Sequence, residues 1–262
     1  MKAVLFQKPL EYVLQIRGES WHQGETLQGE LKIKNHLAEE ISLKGLQVFV
    51  AQGQLKKVRL KSADAFERVS DFLLQNTPEK LRAQEELVLP WTCKLDRNCA
   101  ISDSSDSPFL LYGKEESGMG HLQLMVIPDP LVQEILKLLE IQFRFVRKSQ
   151  RSGQKSGQKS GHESTIAVET KFVPPSAKAF AMIEQLLLSS RFEADQLLLK
   201  YEFQIRKITA TAASLEVSKE KRAFEQRFTL AQLNTASGRF NFEHVEKAVQ
   251  EILSQIEAKT SL

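Results

Sequence analysis

The chain has 262 residues, 42% of them hydrophobic and 26% charged, an ordinary globular composition with room for one large or two modest cores. Its formal charge of +3 is uneven: residues 147–162 hold Arg147, Lys148, Arg151, Lys155 and Lys159 and no acid, so the remainder is slightly acidic and lacks the spread-out basic face of a nucleic-acid binder. No apolar run approaches the ~18 residues of a membrane span, the run after Met1 is too short for a signal-peptide core, and Cys93 and Cys99 alone cannot build a disulfide framework, so a cytoplasmic chain is expected.

Period-two alternation dominates the first ~115 residues. Tyr12, Leu14 and Ile16 share one strand face, the turn GESWHQGE follows, and Leu27, Gly29, Leu31 and Ile33 alternate again. After the turn NHLAEE, the segment ISLKGLQVFVAQG reads as one strand with a bulge at Gly45. QLKKVRLKS alternates too, and predicts a basic strand with Lys57, Arg59 and Lys61 on one face and Val58 and Leu60 on the other. EELVLPWTCKL and SPFLLYG add two strands, the former confined by Pro90 to an edge or a bulge. Short strands separated by turns about every ten residues predict an all-β sandwich.

HLQLMVI at 121–127 predicts a strand, and then the period changes. In PDPLVQEILKLLEIQF, apolar residues at 131, 132, 135, 136, 138 and 139 predict a helix capped by Asp129 with Pro130 first. IQFRFV, TIAVETKFV, QLLLSSRFE, DQLLLKYEFQIRKITATAA and AFEQRFTL return to strand patterning, with a helical turn over SAKAFAMIEQ. Phe242, Val245, Val249, Ile252 and Ile256 step by 3 and 4, predicting a C-terminal helix capped by Asn241. That seam either docks on the protein's own sandwich or serves a homodimer; two heptads favour the former.

Between two of these strands lies SGQKSGQKSG (152–161), a tandem four-residue unit. Its Ser, Gly, Gln and Lys cannot bury apolar surface, so a disordered inter-strand loop is expected, lengthened by repeat slippage at small entropic cost. An alternative is a flexible arm drawn to anionic lipid or polymer, with each cation worth ~1 kcal/mol at such a surface. The basic segment Lys56, Lys57, Arg59 and Lys61 invites a similar pair of readings: a lysine-guarded edge, or a receptor for acidic groups.

No H-E-x-x-H, G-x-S-x-G or phosphate loop occurs, and the five histidines are scattered, so no enzyme activity, cofactor or metal is expected. Cys93 and Cys99 lack a second ligand pair and read as free thiols. Asp96, Asp103 and Asp106 lie in a Ser/Asp-rich loop without the spacing or closing Glu of a calcium loop, and read as a solvated turn.

The stretch SWHQGETLQGELKIKN (20–35) resembles the arrestin fold, in which a Pro-Gly-Glu-type turn precedes hydrophobic-x-Gly-x-hydrophobic; Gln23 stands where proline is usual. Gly24 serves that turn, and Gly29 allows a tight strand crossing or bulge. ELVLPWTCKLDRNCAIS is similar to the family's next strand and loop, with Asn98-Cys99 in place of prolines. IPDPLVQEILKLLEIQFRF and ETKFVPPS are similar to segments of the bacterial sporulation-control family, which is arrestin-like. The resemblance spans residues 10–205. It implies two tandem arrestin-like (immunoglobulin-like) β-sandwiches, at 1–117 and 118–240, the second with a helix at its start and a disordered basic loop at 147–164, then a C-terminal helix at 241–262. It also implies a cytosolic scaffold or adaptor that binds partner proteins through sandwich edges and loops, with weak anionic-membrane association as the alternative. The expected partner-binding residues are the nine cations named above, at 56, 57, 59, 61, 147, 148, 151, 155 and 159.

Overall fold

The computed structural model describes residues 1–72, 74, 77–115, 118–153, 167–175, 180–210 and 215–258, which divide into two units, Met1–Ile127 and Pro128–Leu262. In the first, alternation becomes burial. Leu10, Tyr12, Leu14 and Ile16 of β2 (Leu10–Ile16) are buried and their neighbours half-exposed. β2 pairs antiparallel with β1 (Lys2–Gln7) and β4 (Thr26–Asn35), and β9 (Glu86–Lys94) closes the order β1-β2-β4-β9 with Pro90 on an edge strand, as expected. The facing sheet runs β11 (Gly120–Gln123), β10 (Asp106–Lys114), β6 (Leu46–Gln54), β7 (Phe66–Phe72). Short pairs link β3 (Trp21–His22) to β12 (Val126–Ile127) and β5 (Ile41–Ser42) to β8 (Lys80–Leu81). The two four-stranded sheets share one core, with Tyr12, Leu31 and Trp91 from one and Val50, Leu110 and Tyr112 from the other.

Gly29 marks close approach rather than a bulge: a Cβ there would stand 2.2 Å from the Gln15 carbonyl oxygen and 2.5 Å from the Trp91 ring. The β4 ladder runs unbroken through it on both sides. Gly24 turns the chain at φ +82° as expected, whereas Gly45, at φ +79°, separates β5 from β6 instead of bulging a single strand. The two departures from the arrestin pattern meet each other. Gln23 is buried, and its Nε2 donates to the Cys99 carbonyl, where two proline-shaped turns would otherwise lie.

Residues 120–127 belong with the first unit, because β11 pairs with β10 and β12 with β3; the division therefore falls at 127, beyond the expected 117.

The second unit opens with α2 (Pro130–Ile141), introduced by Asp129, whose carboxylate accepts from the Leu131 N–H at 2.9 Å. The helix runs through Ile141, and strand structure resumes only at Val146, after Arg144 turns at φ +56°. Its strands form one antiparallel meander: β13 (Val146–Gly153), β14 (Ala167–Val173), β15 (Ile183–Glu193), β16 (Gln196–Ala210) and β17 (Leu215–Thr229). The layer over this sheet is helical among the described residues. α2, α3 (Leu230–Leu233) and α4 (Phe242–Ala258) bury Ile135, Leu139, Leu233, Val245 and Val249 against Phe172, Leu188, Tyr201 and Phe203. From Val245 to Ile256 the 3-and-4 seam of α4 is thus taken up inside its own unit, while Phe242 at its start is exposed; Asn241 caps the helix by accepting from the His244 N–H at 3.4 Å. One amide braces three elements: the Tyr201 hydroxyl donates to Gln226 Oε1 (3.0 Å), and Gln226 Nε2 donates to the Ala248 carbonyl (2.6 Å). The SAKAFAMIEQ segment falls partly outside the described residues, and its described end enters β15.

Candidate partner-binding surfaces

The expected basic strand at 55–61 is a short helix, α1 (Leu55–Arg59). The reason is a local competition. Leu55 and Val58, three apart, both pack on Phe49, Ala51, Phe109 and Leu111, which line the outer face of the β6–β10 sheet. A strand would pair Val58 with Leu60 instead, yet Leu60 is 70% exposed. The turn closes through the Leu60 N–H on the Lys56 carbonyl, and Lys61 leaves in the left-handed region at φ +53°. Lys57 is held by Asp64 at 2.6 Å, a hydrogen bond that, with one from Ser62, draws the Asp64 carboxyl down to about 2. Lys56, Arg59 and Lys61 are exposed and have no acidic partner among the described residues. Lys56 and Arg59 line a cavity of about 530 Å3 with Leu55, Leu60 and the loop Ser104–Asp106.

The expected disordered loop at 147–164 begins as strand. Residues 146–153 form β13 and pair with β14 from Val146↔Val173 to Gly153↔Ala167, with a register shift between Arg147 and Ser149. VRKSQRSG has no apolar alternation to announce a strand. Ladder hydrogen bonds, the Gln150–Thr170 bond (3.0 Å) and ion pairs hold it. Arg147 grips Glu140 of α2 through two bonds of 2.8 Å, and Arg151 lies 3.0 Å from Glu169. Lys148 is exposed at the register shift. Lys155, Lys159 and the SGQK repeat beyond Gly153 lie outside the described residues. The described cations thus fall into two groups, one on each unit, and Lys57, Arg147 and Arg151 are engaged by acids.

Cys93 and Cys99 are buried and free; burial raises both thiols, Cys99 to about 12 with Asp96 adding to the effect. The aspartates of the 96–106 loop serve turns: Asp96 accepts from the Asn98 N–H (2.6 Å), and Asp103 accepts from the N–H groups of Ser105 and Asp106 (2.7 and 2.9 Å). Among the described residues no group of three or more His, Cys, Asp or Glu is placed to hold a metal, and no helix is long and apolar enough to cross a membrane. The described histidines have separate local partners. His22 meets Glu25, His36 meets Glu11, His121 lies against Phe66 and Phe109, and His244 meets the edge of Phe228.

Sequence reasoning missed the longest outer strand edge among the described residues. β17 pairs with β16 over its whole length, from Gln196↔Thr229 to Ala210↔Leu215, and no strand is paired to its other side among the described residues. The sequence did offer a clue, since seven of the fifteen residues of this segment are charged.

These features define an arrestin-like fold: a two-sheet sandwich followed by a second β unit with a helix at its start and another at its end. No family model and no curated protein matches the chain. Among solved structures, it is similar to Spo0M, the sporulation control protein from Bacillus subtilis, with a TM-score of 0.65 over 94% of this chain and 98% of that one. Sequence identity across that match is 16%, so what the two share is the fold.

Proposed function

We propose that the protein is a non-enzymatic, arrestin-like scaffold of the cytoplasm that receives an extended segment of a partner protein along the outer edge of β17, which carries no second strand among the described residues. The observation that carries this reading is the fifteen-residue edge itself. Its backbone donors and acceptors can add a strand, which gives affinity through main-chain hydrogen bonds and selectivity through alternate side chains. Lys219, Lys221 and Arg227 are exposed along it, the kind of charge that keeps long edges from pairing with their own copies. The separate, local pairing of each described histidine supports a role without chemistry.

The test places a photo-crosslinking residue at Ala223 on the edge, and in a second protein at Glu202, its neighbour inside the sheet. One protein partner captured from native cytosol at 223 and not at 202 supports the edge; equal capture at both sinks it. The experiment is repeated with residues 154–161 deleted, which leaves β13 intact. Unchanged capture leaves the repeat a spacer, and collapse transfers binding to the repeat.

The second reading, attraction to an anionic surface, draws support from Lys56, Arg59 and Lys61, which have no acidic partner among the described residues. Flotation with anionic vesicles at low salt tests it, and protein remaining at the bottom of the gradient dismisses the lipid form.

A further inference from the structure

The cavity beside α1 brings together groups that the edge-binding reading does not use. Ser104 is exposed on its rim, and its hydroxyl makes no hydrogen bond among the described residues. Across the same cavity stand Lys56 and Arg59, two exposed cations with no acidic partner among those residues. The loop bearing Ser104 is already shaped. Asp103 accepts from the Ser105 N–H and hydroxyl and from the Asp106 N–H, while the Ser105 hydroxyl also bridges to Asp106. The Leu55 N–H then donates to the Ser105 carbonyl at 2.8 Å, which ties the loop to the start of α1. The neighbouring acids are thus occupied within the loop, and the cations are not.

We infer that Ser104 is a phosphorylation site whose phosphoryl group is held by Lys56 and Arg59. In the transfer, Ser104 Oγ attacks the γ-phosphorus of a nucleoside triphosphate bound to a protein kinase. The new O–P bond forms as the bond from that phosphorus to the β,γ-bridging oxygen breaks; the nucleoside diphosphate leaves with the electron pair, and the serine proton passes to the kinase's base. A phosphoserine carries close to two negative charges at neutral pH and three acceptor oxygens. Set in this cavity, it closes charge-assisted hydrogen bonds to both cations. Ser105 is the less suited neighbour, because its hydroxyl is committed to Asp103 and Asp106. The consequence is mechanical: loop 102–106 becomes clasped to α1, the helix that covers the outer face of the β6–β10 sheet.

The purified protein is incubated with an acidophilic protein kinase and a nucleoside triphosphate, and the modified position is read by mass spectrometry. In parallel, phosphoserine is installed at 104 during translation and its second ionisation followed by phosphorus NMR. Labelling is expected at Ser104, with a titration midpoint about half a unit or more below the free value of ~6. The shift should vanish in the Lys56→Gln/Arg59→Gln protein, whose changes are exposed and whose folding is verified by tryptophan fluorescence. Labelling only at other serines overturns the assignment of the site. A midpoint unmoved between the two proteins overturns the role of the cations.

Discussion

The two units solve the same problem in different ways. In the first, a four-stranded sheet finds a second sheet as its cover, and β10 is buried on both faces because α1 and its apolar neighbours lie on the outside. In the second, helices cover one face of a five-stranded sheet, and the far face is laced with charge: Arg227 and Arg191 on Glu193, Lys200 on Glu202, Arg151 on Glu169. Period-two patterning is common to both units. What differs is where the chain places its 3.6-period segments, at either end of the second unit and almost nowhere in the first. A strand pattern specifies a half-buried sheet, and the neighbouring periodicity decides what lies on it.

Both tryptophans, Trp21 and Trp91, belong to the first unit, so indole fluorescence reads that unit while far-ultraviolet dichroism reads both. Ile252→Ala should have the largest effect, about 2–5 kcal/mol of stability lost from the helix-covered unit. Dichroism should record an early transition while fluorescence stays at its original midpoint; a joint shift would mean that the units unfold together. Gly29→Ala is the reverse probe. Crowding the Gln15 carbonyl and the Trp91 ring should cost about 1–3 kcal/mol and move the fluorescence transition first. Arg147→Gln breaks the clamp on the half-exposed Glu140 and should cost only about 0.2–1 kcal/mol, with amide exchange rising in β13 before any other strand of its sheet.

The last probe concerns pH and is read in the sandwich, although burial also pushes the Tyr201 hydroxyl of the second unit up. Burial raises Cys99 from 9.0 to about 12, so the fold favours the neutral thiol. That contribution is complete below pH 9 and declines as pH rises from 9 toward 12, where the unfolded chain gains by ionising. Denaturant midpoints read by fluorescence should fall across that window, and Cys99→Ala should lessen the fall, leaving the part due to Tyr12 and Tyr112, which burial raises from 10.0 to about 12. A thiol reagent at pH 8 should modify neither Cys93 nor Cys99 until the protein unfolds.

Most of the architecture could be read from the chain. Strand alternation at Tyr12–Ile16, the Asp129-Pro130 helix start and the Val245–Ile256 seam all rest on local periodicity, and each stands. The readings that changed depended on partners outside the segment being read. Val58 and Leu60 alternate as a strand would, but the outer apolar face of another sheet recruits Leu55 and Val58 into a helix, and no local pattern reveals that face. β13 is hidden because it is held by a neighbour's backbone and by Glu140 and Glu169, partners on other elements, rather than by apolar alternation of its own. Residues 120–127 look like the start of a new domain because the period changes soon afterwards, while β11 pairs with the preceding β10 and β12 with β3, far back in the chain. Of the surfaces, the basic residues were legible as charge, but which of them face acids was not. Of β17, only AFEQRFTL was legible as strand, with no indication that its outer side carries no second strand among the described residues.

The Gln226 brace has a chemical consequence of its own. Its carbonyl faces the Tyr201 hydroxyl and its amino group faces the Ala248 carbonyl, so the site requires one acceptor and one donor in a fixed order. Deamidation would convert that side chain to a glutamate of nearly the same shape, keep the acceptor, and set a carboxylate against a helix carbonyl. A single slow hydrolysis would thus loosen α4 from its sheet. The apolar seam from Val245 to Ile256 would still hold the helix, so the change would be felt first around Ala248.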